Sequence, residues 1–289
     1  MVRFEYLEPT SLEEAVALLD KHWGQAKVLA GGTDVLVRLK QRVLRPQYVI
    51  NLKRVPGLDT VTYRKRQGLR IGALATIRTM ETSPVVKEHY PSLAEAAGML
   101  GSVQVRNLAT VGGNLCNASP SAEMPPGLLA YGAKARIVGP KGERVVPLDQ
   151  FFSGPGKTCL ERGELLVEVQ VPDPPAHTGG AYIKLSPRAA MDCAVVGVAA
   201  VVTLEDNKCQ ECRIALGAVA PTPLRTRSAE ALLRGKPVEP SLREKAGEAA
   251  MAEATPITDV RGSAEYRKEM VKVLTRRAVQ QAIQRAMAS

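Results

Sequence analysis

Long apolar runs are absent from this 289-residue sequence. No stretch approaches the roughly 20 consecutive apolar residues that a membrane-spanning helix needs. The opening residues, Met1 to Glu5, also lack the basic stretch followed by an apolar one that marks a secretory signal. We therefore expect a protein without a transmembrane segment, located in the cytoplasm.

Cysteine and histidine are scarce, with five and three residues respectively. An odd number of cysteines spread over a long chain is not a disulfide framework. The only close pair is Cys209 and Cys212, and no second pair or neighbouring histidine completes the four ligands of a structural zinc site. We predict no metal site and interpret the pair as two strand-end cysteines, with a metal at this position as the alternative.

Aromatic residues make up only 4% of the chain, whereas basic residues are abundant and give a net charge of +10. The stretch from Arg38 to Arg70 contains ten lysines and arginines and a single acid. A basic surface attracts nucleic acid, acidic proteins or anionic cofactors. Few aromatics lie in this stretch to stack on bases, and no nucleic-acid motif is present. We predict a surface that contacts a partner protein or steers a cofactor, with no nucleic-acid role.

The remaining composition is that of an ordinary globular protein, and at about 150 residues per domain the length suggests two domains. A capping box at Ser11–Glu14 starts an amphipathic helix, and strands alternate with helices up to Pro56, as in an α/β unit. Residues 172–175, Pro-Asp-Pro-Pro, form the clearest linker. Beyond it, strand-like stretches followed by three helical ones predict an α+β domain, whose last helix runs from Ser263 to near Met287.

Two segments share one design: Ala30-Gly31-Gly32-Thr33-Asp34 and Thr110-Val111-Gly112-Gly113-Asn114. Each follows an apolar stretch and pairs two glycines with a small polar residue. Glycine lets backbone N–H groups approach an anion closely, and consecutive exposed N–H groups form a phosphate-binding nest. Neither segment is a GxGxxG or P-loop motif. Two such segments suit the two phosphates of a dinucleotide, with tight structural turns as the alternative.

These two segments belong to a longer series of motifs. The series comprises Phe4-Glu5-Tyr6, Leu29–Asp34, Arg106–Asn114, Ala118–Glu123 with Pro126, Tyr182-Ile183-Lys184, Arg188, Asp192, Leu216–Ala220 and Pro223. In this order and spacing, and over nearly its whole length, the chain resembles the FAD-binding medium subunit of the molybdenum hydroxylases. That group includes aerobic carbon monoxide dehydrogenase and xanthine dehydrogenase.

The resemblance implies an α+β fold class with a two-part FAD-binding domain of the vanillyl-alcohol-oxidase/PCMH type. A C-terminal α+β domain, with an antiparallel sheet plus helices, is expected to follow it. Together with the linker positions, the implied division is residues 1–56 and 57–173 for the two FAD-binding sub-domains and residues 177–289 for the C-terminal domain. FAD is expected to lie in the cleft.

The resemblance also implies the roles of individual residues. Ala30 to Asp34 and Thr110 to Asn114 are expected to cradle the diphosphate of FAD through backbone amides and threonine hydroxyls. Glu123 stands where the family usually has aspartate and is expected to contact the adenosine half. Leu166 matches an apolar residue near the ring system, and Lys184 matches a lysine near the isoalloxazine, where a cation favours the anionic reduced flavin.

The implied function is electron transfer, with no catalytic residue expected in this chain. In the family, substrate is oxidised at a molybdopterin centre in a large subunit, and electrons pass through two 2Fe–2S clusters in a small subunit to FAD and then to an external acceptor. We expect a dimer of heterotrimers, with molybdopterin and 2Fe–2S clusters only in the partner subunits and no 4Fe–4S cluster here. The alternatives are a stand-alone FAD oxidoreductase of the same fold or a basic binding module without enzymatic activity.

Overall fold

The computed structural model describes residues 3–288, in which strands and helices alternate up to β3 and then follow in longer runs of one type. The strands are β1 (Glu5–Leu7), β2 (Ala26–Leu29), β3 (Tyr48–Asn51), β4 (Val61–Arg64), β5 (Gly68–Gly72), β6 (Lys134–Gly139), β7 (Gly142–Pro147), β8 (Phe152–Gly154), β9 (Lys157–Thr158), β10 (Leu165–Val171), β11 (Thr178–Leu185), β12 (Val196–Glu205), β13 (Lys208–Gly217) and β14 (Leu224–Arg225). The α-helices are α1 (Leu12–Lys21), α2 (Val35–Lys40), α3 (Ile77–Thr82), α4 (Pro84–His89), α5 (Pro91–Gly98), α6 (Val103–Arg106), α7 (Val111–Asn117), α8 (Met124–Ala130), α9 (Arg227–Leu233), α10 (Pro240–Glu253) and α11 (Ala264–Ala288). Within residues 3–288, every helix is too short or too polar to cross a membrane.

The N-terminal sheet has three parallel strands in the order β1-β3-β2. Helix α1 begins as the sequence predicts, because the Ser11 hydroxyl accepts a hydrogen bond from the Glu14 amide at 3.1 Å. The Glu14 carboxylate in turn accepts one from the Thr10 amide at 2.8 Å. Strands β2 and β3 end side by side at Leu29 and Asn51. The carboxyl ends of parallel strands are where α/β sheets bind ligands, and the first Gly-Gly segment begins one residue after Leu29.

The second sheet is antiparallel, with five strands in the order β4-β5-β10-β6-β7. Helices α3 to α8 cover one side of it around a core that includes Leu69, Ile71, Leu93 and Leu128, all fully buried. The turn after β5 carries backbone carbonyls that accept hydrogen bonds from the start of α7. The second sheet therefore fixes the position of the second Gly-Gly segment.

The C-terminal part has an antiparallel four-stranded sheet, β11-β12-β13-β14, packed against α9, α10 and α11. Strand β12 is buried at every position from Val196 to Leu204, because one face meets α11 and the other meets α8 of the preceding part. An FAD-binding-type part followed by an antiparallel sheet with helices confirms the fold class that the sequence predicted.

Cys209 and Cys212 both lie in β13, with their side chains in the hydrophobic core of the C-terminal part. A β-bulge opposite Thr203 and Leu204 lets two residues three positions apart face the same side of the strand. Cys209 is near the strand end, as expected, but Cys212 lies inside the strand. Residues 3–288 contain no group of three or more histidine, cysteine or acidic side chains arranged to hold a metal ion.

A polar cluster joins α5 to the C-terminal sheet and its last helix. Arg285 donates a hydrogen bond to the carbonyl of Gly180 at 2.6 Å and forms an ion pair with Glu95. The other oxygen of Glu95 accepts a hydrogen bond from the Tyr182 amide at 2.8 Å. One carboxylate therefore contacts both β11 and α11.

We expect Arg285→Met to lower the free energy of unfolding by about 1–2 kcal/mol, because Glu95 keeps its charge and loses its cation at a half-buried contact. Arg276→Met is the matched control, since Arg276 pairs with Glu244 at a more exposed position of the same helix. Exposed pairs contribute about 0–1 kcal/mol. Urea unfolding of both variants measures the difference, and equal losses would contradict a special role for the Arg285 contact.

Candidate cofactor site

A cavity of about 1080 Å³ lies where the N-terminal sheet, the second sheet and the loop between β11 and β12 meet. Ligand pockets range from about 300 to 1,000 Å³, so this one is large enough for a ligand of dinucleotide size. Its wall includes the first Gly-Gly segment, the start of α7, part of β10 and the loop residues Met191 to Cys193.

The first Gly-Gly segment supplies free backbone donors to this cavity. Gly32 has a φ of +82°, a conformation that side-chain-bearing residues adopt only with strain. The N–H groups of Gly32, Thr33 and Asp34 have no hydrogen-bond acceptor within residues 3–288. Consecutive free amides beside a glycine with positive φ form a concave anion site. This segment therefore has the donors that a phosphate requires.

The second Gly-Gly segment is the first turn of α7, not a loop. The hydroxyl of Thr110 caps the helix and accepts a hydrogen bond from the Gly113 amide at 3.1 Å. The amides of Val111 and Gly112 donate to carbonyls of the turn after β5, at 2.9 and 2.8 Å. The amides of Val111, Gly112 and Gly113 therefore already have acceptors within the protein, and the expectation that Thr110–Asn114 bind the diphosphate stays a prediction.

Two side-chain groups of this turn remain available to a ligand. The hydrogen of the Thr110 hydroxyl has no acceptor among the described residues, and Thr110 lies on the cavity wall. The Oδ1 atom of Asn114 is buried and has no hydrogen-bond partner. A buried polar atom without a partner costs about 1–3 kcal/mol, so a ligand that bonds to it stabilises the site. The Thr110 hydroxyl and the free amides of the first segment are donors that fit the diphosphate of FAD, whereas the Asn114 oxygen, an acceptor, fits a hydroxyl or ring N–H group of the same ligand.

Glycine is also needed where the two segments approach their neighbours. A Cβ atom on Gly31 would lie 2.1 Å from the carbonyl oxygen of Leu108, and one on Gly112 would lie 2.6 Å from a carbonyl oxygen of the turn after β5. Asn117, at the end of α7, donates a hydrogen bond to Asp34 at 3.2 Å. These contacts place the two segments on one cavity.

Arg106 holds the segment that leads into α7. Its guanidinium donates to both oxygens of Glu81, at 2.7 and 3.2 Å, and to the carbonyl of Leu100 at 2.9 Å. Burial alone would raise the pKa of Glu81, but the guanidiniums of Arg106 and Arg78 hold it below its usual range. The ionised carboxylate therefore anchors the turn whose Leu108 carbonyl contacts Gly31.

Glu123 and Lys184 form a buried ion pair at another part of the wall. The Lys184 ammonium donates to the Glu123 carboxylate at 2.8 Å, to the carbonyl of Asp192 at 2.7 Å and to the carbonyl of Met99 at 3.1 Å. All three of its N–H donors are therefore used. Burial raises the pKa of Glu123, and the Lys184 ammonium opposes that rise.

The contact between Glu123 and Lys184 bears on the roles that the resemblance implies, Glu123 at the adenosine half of FAD and Lys184 near the isoalloxazine. Their side chains form one ion pair and so lie at one part of the cavity. Both roles stay predictions. Glu123 lies on the cavity wall, and Lys184 lies behind it.

Most of the residues named from the sequence meet at this cavity. Those on its wall are Ala30, Gly31, Gly32, Thr33, Asp34, Thr110, Gly112, Gly113, Asn114, Glu123 and Leu166. Val111, the first residue of α7, is fully buried instead. Sequence reasoning missed Trp23, Ala73, Cys116 and Met191, which also line the cavity. Of these, only Trp23 stands out in the sequence, as its single tryptophan.

Cys116 provides a chemical test of the cavity. Its side chain is open to the cavity, yet surrounding protein raises the pKa of its thiol to about 12. Little of the thiol is then ionised at pH 8, so iodoacetamide should modify Cys116 slowly, since only the thiolate reacts. Peptide mass spectrometry should show rapid labelling of Cys116 only after unfolding in urea. Rapid labelling in the folded protein would contradict the raised pKa.

Comparisons with known proteins agree with this geometry. A family profile described as "FAD binding domain in molybdopterin dehydrogenase" matches residues 2–174, and one described as "CO dehydrogenase flavoprotein C-terminal domain" matches residues 181–282. The carbon monoxide dehydrogenase medium chain of Hydrogenophaga pseudoflava is 38% identical over 277 residues, which cover 96% of each chain. A putative xanthine dehydrogenase FAD-binding subunit of Escherichia coli K12 is 35% identical over 279 residues, covering 96% of this chain and 95% of that one.

Solved structures give the same result. A chain of the Hydrogenophaga pseudoflava carbon monoxide dehydrogenase that lacks the Mo-pyranopterin moiety superposes with a TM-score of 0.95 at 39% identity, covering 98% of both chains. A chain of quinoline 2-oxidoreductase from Pseudomonas putida 86 gives a TM-score of 0.91 at 32% identity, covering 99% of this chain and 98% of that one. The resemblance read from the sequence is thus confirmed, and the chain belongs to the family of FAD-binding medium chains of the molybdenum hydroxylases, which are subunits of oxidoreductases.

Proposed function

We propose that this chain transfers electrons within a molybdenum hydroxylase complex. It would receive them from 2Fe–2S clusters of a small subunit and pass them to an external acceptor, while a molybdopterin-containing large subunit oxidises the substrate. The observation that carries this proposal is the cavity with free amides at Gly32–Asp34 and an unpartnered Oδ1 atom on Asn114. Bound FAD would supply the redox chemistry, because its isoalloxazine ring accepts and releases electrons.

The chain's own residues would bind and orient the cofactor. In the proposal, the amides of Gly32, Thr33 and Asp34 and the hydroxyl of Thr110 donate to the diphosphate. The Asn114 Oδ1 atom accepts from a hydroxyl or ring N–H group of FAD. Leu166 supplies an apolar wall for a ring. The charges of Glu123 and Lys184 cancel, so this part of the wall presents a neutral pair to the ligand.

We also propose the division into sub-domains 1–56 and 57–173 and a C-terminal domain 177–289. The hydrophobic core that α10 and α11 share with the C-terminal sheet lies wholly within residues 177–289 and supports the last boundary. A cytoplasmic location belongs to the same proposal, since reducing compartments suit a protein whose five cysteines are all free thiols.

The partners in this proposal are a large molybdopterin subunit and a small 2Fe–2S subunit, assembled as a dimer of heterotrimers. Relatives named as medium chains of carbon monoxide dehydrogenase support the presence of both partners. Nine of the ten basic residues between Arg38 and Arg70 are exposed, and Arg70 pairs with Glu168. Exposed charges of one sign speed the encounter with an acidic surface, so this stretch suits a partner contact.

The test is reconstitution of the full chain, alone and with subunits encoded by neighbouring reading frames. We expect stoichiometric FAD, association with both subunits at near-physiological salt, and substrate-driven reduction of the flavin only in the complex. Short DNA and RNA should bind weakly there. Substrate turnover by the chain alone would favour a stand-alone oxidoreductase. Tight nucleic-acid binding without flavin or subunits would favour a basic binding module.

A further inference from the structure

Trp23 is the only tryptophan in the sequence and lies on the cavity wall. Its side chain is 44% exposed, although tryptophan usually buries most of its large apolar surface. It stands in the turn between α1 and β2, and Lys27 of β2 lines the same part of the cavity. A half-exposed indole on a concave wall offers a flat surface to a planar ligand.

The segment from Leu160 to Leu166 forms the neighbouring wall. Arg162 donates to the side chain of Asp20 at 2.7 Å and to its carbonyl at 3.1 Å, which ties this segment to the end of α1. Leu160 and Leu166 both line the cavity. The Trp23 amide donates to the Asp20 carbonyl at 3.3 Å, and Leu160 precedes Arg162 by two residues, so an aromatic face and a leucine belong to the same end of the cavity.

Trp23 and Leu160 form one part of the cavity wall, the apolar slot. This slot and the Glu123–Lys184 pair are built from different parts of the chain. The pair joins the start of α8 to β11 and to the loop of Asp192, whereas the slot joins the end of α1 to residues 160–166. A dinucleotide carries two ring systems, one on each side of its diphosphate. Trp23, the Glu123 end of the pair and the phosphate donors all line one cavity, which matches that chemistry.

We propose that Trp23 is the stacking surface for the adenine ring and makes the site selective for FAD over FMN, which lacks adenine. This inference rests on the proposed function, because it requires that the cavity binds FAD. Aromatic side chains stack on any base through its π-face. The apolar slot thereby distinguishes ligands by the presence of the second ring system.

The first test uses the deflavinated full chain and the fluorescence of its single tryptophan. We expect ADP to quench Trp23 emission saturably, because adenine stacks on the indole. Inorganic pyrophosphate should compete with ADP and leave the emission unchanged, since it occupies only the phosphate donors. ADP is the diagnostic probe because a flavin also quenches by energy transfer from a distance. Saturable FAD binding without any effect of ADP on Trp23 would overturn the inference.

The second test compares affinities for FAD and FMN. We expect Trp23→Leu to weaken FAD binding about tenfold, equivalent to about 1.4 kcal/mol, and to leave FMN binding unchanged. Trp23→Phe should keep most of the affinity. Tyr6→Leu is the control, since Tyr6 is a similarly exposed aromatic of the N-terminal sheet. Equal losses for FAD and FMN in Trp23→Leu would overturn the inference, whereas a wild-type protein that binds no flavin would overturn the proposed function itself.

Discussion

Replacement of Gly32 by valine should abolish FAD binding while the protein remains folded. A β-branched residue is strongly disfavoured at the φ of +82° that Gly32 adopts. The backbone must therefore rotate, and the free amides of Gly32, Thr33 and Asp34 no longer converge. Each hydrogen bond to a charged group contributes about 1.5–3 kcal/mol. Loss of two of them lowers the affinity for FAD about 100-fold or more.

Gly57→Val is the matched control for this experiment. Gly57 has nearly the same φ, +80°, is exposed, and has nothing within 4 Å of an added Cβ atom. Strain at such a residue costs of order 1–3 kcal/mol, so both variants should lose stability in urea unfolding. Equilibrium dialysis should show normal FAD affinity in Gly57→Val only. Equal FAD affinity in the two variants would show that the first segment is a structural turn.

The contrast between the two Gly-Gly segments shows where sequence reasoning fails. The two segments share one sequence pattern, which is typical of a loop. The structure has a loop at Gly31-Gly32 but a helix, α7, at Gly112-Gly113. Thr110 is a good N-cap residue, yet two glycines after it argue against a helix. The helix forms because carbonyls after β5 accept its first amides. That contact is tertiary and has no local sequence pattern.

Other elements follow from local patterns. The capping box at Ser11 and the long final helix appear in the structure nearly as predicted. Strand β1, Glu5–Leu7, has only three residues, and its parallel pairing with β3 supplies the hydrogen bonds that define it. Short strands stabilised by distant partners carry too little periodicity to be identified from sequence.

The Glu123–Lys184 pair could not be predicted for the same reason. Glu123 directly precedes α8, and Lys184 lies in β11, 61 residues further along the chain. Either residue alone would be interpreted as a solvent-facing charge, and the resemblance assigned them to different halves of FAD. Only the packing of the C-terminal sheet against α8 brings them together. Their joint charge, rather than that of Lys184 alone, is therefore the quantity that a nearby flavin would sense.

Lys184→Met should lower the reduction potential of bound flavin in a pH-dependent way. In the wild type the pair is neutral. Without Lys184, an ionised Glu123 leaves a net negative charge that disfavours the anionic reduced flavin. Burial already raises the pKa of Glu123, and the variant also loses the ammonium that opposes that rise. Below the new pKa the carboxyl is protonated and neutral, so the potential stays near the wild-type value. Above it the potential should fall, by about 30 mV for each 1.4 kcal/mol in a two-electron couple.

The double variant Glu123→Gln with Lys184→Met separates charge from packing. The double variant removes both charges, so its flavin potential should follow that of the wild type at every pH. Loss of only one member of a buried pair costs about 3–5 kcal/mol of stability. Redox titration across the pH range, with unfolding measured in parallel, compares the three proteins. The potential of Lys184→Met could instead equal that of the wild type at pH values both below and above the pKa of Glu123. That result would place the flavin ring away from this pair. A double variant as low in potential as the single one would mean that packing, not charge, sets the potential.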